Sequence, residues 1–323
     1  MPQASYERNL TLDLLRAAER SAVAAARLRG RGDEMAADQA AVAAMHSELA
    51  QLPVRGRIVI GEGERETAPM LYLGEEIGAA KGSPVDLAVA PLEGATLCAK
   101  DMPGCLSIAA MASAGSLLLT PDVYMDKIAI GPGYPEGIID LDREPEENLQ
   151  ALAQAKGAPI TEITVCILDR PRHAELIKKC RKAGACVRLI SDGDVAGVIF
   201  TTCPRETGVD IYVGRGGASE GVLAASVMRC VGGQMQARFA LDGREQMARA
   251  ARLGLVDPSR KYEVSDIAAG DAIVCVTGVT AGPLVNGVLF GKDAVETESL
   301  VYDSSQHVVS RIRARHRNED FLS

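Results

Sequence analysis

Hydrophobic periodicity predicts a helical opening. Residues 9–29 repeat apolar positions at helical spacing and stop at the Gly-punctuated RGRGDE. MAADQAAVAAMHSELAQL (35–52) predicts a second, Ala-rich helix, with Asp38 in its first turn, where the helix dipole favours an anion. GRIVIGEGE (56–64) reads as a short strand breaking into two Gly–Glu pairs, and PMLYLGEEIGAA as a further helix. In VDLAVAPLEGATLCAK (Val85 to Lys100) an alternating strand enters a Pro turn, and a Gly then opens a helix. LSIAAMASAGSLLLTP and MDKIAIGPG are strand-rich.

GPGYPEGIIDLDREPEENLQ (131–150), dense in Gly, Pro and acidic residues, predicts an interdomain connection and hence domains 1–150 and 151–323. Beyond it, strands in ITEITVCILDR, CVRLISDGD and GVDIYVG alternate with helices in HAELIKKCRKAG, VAGVIFTT and SEGVLAASVMRCVGG. That rhythm predicts a mostly parallel sheet covered by helices. Residues 241–323 add a helix (REQMARAARLG), strands near 271–280 and 296–302, and a basic tail; this whole C-terminal segment is left open to pack on either domain.

Composition narrows the function. The 323 residues are 47% hydrophobic but only 3% aromatic, so Ala, Val, Ile and Leu build the core. A net charge of −8 argues against nucleic acid, whose backbone is bound by basic patches. No apolar run is long enough to cross a membrane, and the N-terminal stretch has no signal-peptide core; a cytoplasmic protein is expected. The eight Cys form no C-x-x-C pair and several lie in strand- or helix-like patterns, which predicts buried reduced thiols.

Several motifs bear oxygen donors. GEGE places Glu62 and Glu64 just past a strand, and GRGDEMAAD offers Asp33 and Asp38. YVGRGGASEG (212–221) follows a strand and opens a helix, but Ser219 stands where a dinucleotide fingerprint needs its third Gly or Ala. It predicts a Gly-rich loop for phosphate, or for a metal beside phosphate, carrying Glu220. DRPRH and SDGDV close two successive strands, bringing Arg170, Arg172, Asp192 and Asp194 to one edge; His173 reads as a structural hydrogen-bonding group. Asp38, Glu62, Glu64, Glu93 and Glu220 are the kind of hard donors that divalent cations want. Composition and spacing lead to metal-assisted phosphoryl chemistry and no further.

GRGDEMAADQAAV, IVIGEGERETAPMLYLGEEIG, VDLAVAPLEGATL, PDVYMDKIAIGPG, DRPRHAELI, SDGDVAGVI and GGASEGV, in this order, resemble segments of bacterial class II fructose-1,6-bisphosphatases. Some of those relatives also cleave sedoheptulose-1,7-bisphosphate. The resemblance implies the α/β/α/β/α layered fold of the lithium-sensitive sugar and inositol phosphatases, with two mixed sheets. A metal-site domain would span 1–150 and a sugar-phosphate-binding domain 151–323. It further implies Mg²⁺ or Mn²⁺, a small-molecule sugar bisphosphate as substrate, and a homo-oligomer, dimer or tetramer. Metal ligands would be Asp38, Glu62, Glu93 and Glu220. Substrate contacts would come from Glu93, Gly94, Ala95, Tyr124, Arg170, Pro171, Arg172, Asp192, Gly193, Asp194 and Gly217. Glu66 stands where an acid helps orient the attacking water, and Glu34 where many members carry Lys. The implied mechanism is in-line attack of a metal-bound water on the 1-phosphate.

The chain departs from that pattern twice. Ala90 replaces a ligand Asp, and Ala95 a Thr that positions the attacking water. Asp86 shares the face of Ala90, but four residues put it about 13 Å away, against about 2.1 Å for Mg²⁺ coordination. It is expected to cap the strand's other end. Thr96 is nearer to the lost hydroxyl, but a one-residue shift turns its side chain away. The resemblance therefore implies a sugar-phosphate pocket with impaired catalysis, or alternatively a non-catalytic sugar-phosphate-binding paralogue.

Overall fold

The computed structural model describes residues 3–321 apart from 256 and 258. The chain forms two compact units, one of 1–117 with 270–323 and one of 118–269. The stretch 131–150 therefore lies inside the second unit and not between domains. Its Pro145 and acidic residues start the helix Pro145–Lys156, where Glu144 and Glu147 form a capping box. The last 54 residues return to the first unit, so the chain passes between units at 117–118 and 269–270 rather than near 150.

In the first unit an eight-stranded mixed sheet runs in the order Leu289–Phe290, Ala294–Asp303, Ala272–Gly278, Leu106–Ser113, Pro84–Glu93, Arg55–Ile60, Glu76–Ile77, with Val308–Arg317 also pairing Ala294–Asp303. Among the described residues of this unit, only Arg55–Ile60 and Pro84–Glu93 run parallel. The expected helices are Gln3–Ala26 and Glu34–Leu49. Their apolar faces supply Leu14, Leu15, Met45 and Leu49 to a core shared with Ile58, Leu87 and Met111 of the sheet.

Two readings are corrected in this unit. PMLYLGEEIGAA is not a helix: Leu71 and Ala80 hold φ of 55° and 54°, and Gly74 and Gly78 are also left-handed. The segment turns repeatedly and gives a two-residue strand, Glu76–Ile77, paired antiparallel with Gly56 and Arg57. The basic tail is the ten-residue strand Val308–Arg317. Glu298, buried on the neighbouring strand, accepts from Arg311 at 2.7 Å and Arg313 at 2.8 Å, which gives this arginine-rich sequence a partner in the sheet.

The second unit holds a six-stranded sheet in the order Tyr262–Glu263, Gln234–Ala240, Tyr124–Ile130, Ile211–Gly217, Thr164–Leu168, Cys186–Ile190. Thr164–Leu168 runs parallel to both Ile211–Gly217 and Cys186–Ile190, and the remaining pairs are antiparallel. The expected mostly parallel sheet is thus mixed. The alternation of strands places Ile128, Ile130, Val165, Ile167 and Ile211 against Leu149, Leu152 and Ile177. On the opposite face the helices Asp194–Phe200 and Ala218–Val231 cover Tyr212, Met125 and Lys127. Both units are therefore helix-covered mixed sheets, a layered α/β fold. Among the described residues, no helix is long and apolar enough to cross a membrane.

Candidate functional site

In the first unit the parallel pair sets the geometry. Ile60 lies opposite Ala88, so the chain beyond Ile60 and residues 90–93 leave the sheet at the same end. Glu62 follows one strand, and Glu93 is the buried last residue of the other. The loop carrying Glu62 is tied down by its backbone: Glu62 N–H donates to Leu71 C=O, and Leu73 N–H to Gly63 C=O, both at 2.9 Å. A side chain at Gly61 would come within 2.0 Å of the Leu71 oxygen, so only glycine fits there. Glu64 and Glu66 are exposed on this loop. Asp38 lies on the helix Glu34–Leu49, and burial raises its carboxyl above the ordinary carboxylate range. The same helix is capped by Asp33, whose carboxylate accepts from Ala36 N–H at 2.9 Å, while Glu34 is exposed in its first turn.

Gly94 takes φ of 89° and starts the five-residue helix Ala95–Ala99, with Ala95 packed against the neighbouring apolar cluster. Ala90 is half-buried beside a register shift between Ala90 and Glu93, and its methyl offers no donor there. Asp86 does cap the other end, since its Oδ2 accepts from the N–H groups of Ser116 at 3.0 Å and Leu117 at 3.2 Å. It therefore does not stand in for the carboxylate that the resemblance leads one to expect at position 90.

In the second unit the structure joins most of the expected substrate contacts. The Arg172 guanidinium lies 4.8 Å from the centroid of the Tyr124 ring, and its Nε and Nη2 donate to Arg215 C=O at 3.1 and 2.9 Å. Arg170, which precedes Pro171, donates to Ser191 C=O and lies 3.8 Å from Asp192. Gly193 takes φ of 84° and starts the helix headed by Asp194. His173 is structural as expected: Leu168 C=O accepts from Nδ1–H, and Nε2 accepts from Arg215 N–H, each at 2.8 Å. Burial lowers its pKa, and this bonding fixes the neutral tautomer.

The glycine-rich segment turns out to serve a different purpose from the expected loop. It is the end of the strand Ile211–Gly217, paired residue by residue with Tyr124–Ile130. A Cβ at Gly216 would lie 1.6 Å from Asp194 Oδ2, and one at Gly217 would lie 1.9 Å from Glu220 Oε2. These glycines make room for two carboxylates to approach the strand. Burial raises the Glu220 carboxyl, with Lys127 pulling it the other way.

Lys127 was not singled out in the sequence. Its Nζ is fully buried and donates to Asp194 Oδ2 at 2.5 Å and to Gly217 C=O at 2.7 Å. The available signal was a lone cation inside the apolar MDKIAIG run, at the register that points toward the helix Ala218–Val231. His46 and Glu75 were missed as well. Glu75 binds His46 Nε2 at 2.9 Å through one oxygen and accepts from Leu71 N–H at 2.5 Å through the other, anchoring the Glu62 loop.

The donors do not amount to a complete metal site. Among the described residues, no three Asp, Glu, His or Cys side chains group so as to hold a cation. Asp38, Glu62 and Glu93 are hard oxygen donors of the first unit, and Ala90 adds none at the strand end.

The fold defines a layered α/β protein: one helix-covered mixed sheet ends a parallel strand pair in acids, and the other carries Arg170 and Arg172 at a strand edge. Residues 8–316 match the family described as bacterial fructose-1,6-bisphosphatase, glpX-encoded. The chain belongs to this family, whose members are metal-dependent phosphatases acting as phosphoric monoester hydrolases in carbohydrate metabolism. A Synechococcus elongatus protein named D-fructose 1,6-bisphosphatase class 2/sedoheptulose 1,7-bisphosphatase is 39% identical, over 97% of this chain and 98% of its own length. A second relative of that name, from another Synechococcus, is 37% identical over 97% of each chain.

Proposed function

We propose that the protein binds a sugar bisphosphate as its family does, and that Ala90 and Ala95 impair its hydrolysis of the 1-phosphate. The observation that carries this reading is the end of the Pro84–Glu93 strand, where Glu93 is the last residue and Gly94 starts a helix, while Ala90 offers no carboxylate. Arg170 and Arg172 supply cations for an anionic end of the substrate, and Asp194 an acceptor for a sugar hydroxyl. Tyr124 steadies Arg172 by its ring. Glu66, exposed on the Glu62 loop, is the acid assigned to the attacking water, while Ala95 lacks the hydroxyl that the resemblance implies at its position. Losing one such positioned group lowers turnover on the order of 10²–10³-fold, and coupled losses need not multiply.

In the first unit this reading assigns Asp38, Glu62 and Glu93 to Mg²⁺ or Mn²⁺, a set that needs a carboxylate at position 90 to be complete. The reading also takes the protein to be cytoplasmic and homo-oligomeric, a dimer or tetramer. Thermal-shift titration with fructose 1,6-bisphosphate tests the pocket without requiring turnover, because a ligand that binds only the folded state raises its stability. A concentration-dependent rise in Tm is expected, with or without Mn²⁺. No rise at millimolar ligand would remove the sugar-phosphate reading.

A further inference from the structure

The strand Val308–Arg317 lies at an edge of the first unit's sheet. It pairs residue for residue with Ala294–Asp303 and, among the described residues, with no other strand. In an antiparallel pair only every second residue bonds the partner. The N–H and C=O groups of the alternate residues therefore point outward along a ten-residue edge, a template for one more strand.

The side chains sort by the strand period of two. Ser310, Ile312, Ala314 and His316 are half-buried; Ile312 packs on the core, and His316 lies 3.5 Å from Glu19. Arg311, Arg313, Arg315 and Arg317 take the opposite face, and all are exposed. The neighbouring strand sets two acids beside this row: Glu298 at Arg311 and Arg313, and Glu296 at 3.9 Å from Arg315. Four cations against two carboxylates leave this face positive in a chain whose net charge is −8. The side chains of Arg313 and Arg315 are 74% and 73% exposed, so both are open to an incoming charge.

Two occupants fit this edge poorly. A second copy pairing antiparallel would set arginines opposite arginines on one face, and like charges directly opposite destabilise a pair. The phosphates of a nucleic acid only accept hydrogen bonds, so they leave the outward C=O groups unpaired. A peptide backbone carries donors and acceptors at the strand's own period, and carboxylates on every second residue would meet the arginine row.

We propose that the outer edge of Val308–Arg317 docks an extended acidic segment of a partner protein, which adds as a further strand and sets its carboxylates against Arg313, Arg315 and Arg317.

The test is titration of the full chain with a blocked peptide of about nine residues, alternating glutamate and valine, read by calorimetry and amide hydrogen exchange. The peptide binds and slows exchange at alternate amides of Val308–Arg317. Replacing Arg315→Gln and Arg317→Gln together lowers the affinity about fivefold or more. Raising the salt around the unmodified chain to about 0.5 M weakens binding as well, which keeps the test decisive if the double variant fails to fold. No binding at low salt would overturn the proposal, as would binding that leaves those amides unprotected. So would an affinity that either the folded variant or the added salt leaves unchanged. Equally tight binding of an oligothymidylate of the same charge would assign the edge to nucleic acid instead. Slower exchange of the same amides with protein concentration alone would place a second copy there, and either result contradicts an acidic partner segment.

Discussion

His173 shows how one side chain can be read correctly in role and still gain a measurable consequence from the structure. Both ring nitrogens are committed, one as donor to Leu168 C=O and one as acceptor from Arg215 N–H, so protonation breaks a buried bond. Burial lowers its pKa below the ordinary 6.5. The sign follows from linkage: above about 6.5 both folded and unfolded states are neutral. As pH falls below that value the unfolded chain takes the proton first, so this contribution to stability is lost toward the depressed folded value. Denaturant unfolding at pH 7.5 and 5.5 should show a smaller acid loss for His173→Asn than for the unmodified chain. An identical loss in both would remove His173 as its source. At this scale the sequence carried Asp86, whose capping role follows from simple distance along a strand. It did not carry Lys127 and its link to Asp194, because 67 positions separate the partners and only the folded sheet brings them together.

Among the elements, the segment 61–80 is where sequence reasoning failed most clearly. Its apolar spacing suits a helix, yet Leu71 at φ 55° and two left-handed glycines exclude one. Nothing in the pattern announces a left-handed leucine; it is held by tertiary bonds. Glu75 accepts from Leu71 N–H, Leu71 C=O accepts from Glu62 N–H, and His46 holds Glu75 from the helix Glu34–Leu49. Glu75→Ala removes the acceptor and should cost about 1–3 kcal/mol, with faster hydrogen exchange at the Leu71 amide. Unchanged exchange there would show that the loop is held by something else. The strand Val308–Arg317 was missed for a related reason: alternating arginines look like a solvated tail until Glu298 pairs two of them. The strands and helices with strong periodicity, such as Ala294–Asp303 and Ala218–Val231, were legible because their apolar faces are local to the sequence.

For the whole molecule, the family was legible in motifs spread along the chain, and the match across residues 8–316 agrees; the mixed sheets followed from that resemblance, whereas the strand–helix rhythm alone pointed to a mostly parallel sheet. The division into units was not legible. Compositional punctuation at 131–150 marks a helix start, whereas the true crossings at 117–118 and 269–270 lie in less conspicuous sequence. The glycine-rich GRGG also misled, since its glycines admit the carboxylates of Asp194 and Glu220 instead of forming an open loop. The central claim concerns the family's chemistry in a chain with alanine at positions 90 and 95. It is tested most directly by phosphate release from fructose 1,6-bisphosphate at saturating Mn²⁺, comparing the unmodified chain with the Ala90→Asp, Ala95→Thr double variant. The account predicts that the double variant turns over and that the unmodified chain is slower by about 10² or more. Equal rates in the two proteins, or no release by the double variant, would contradict it.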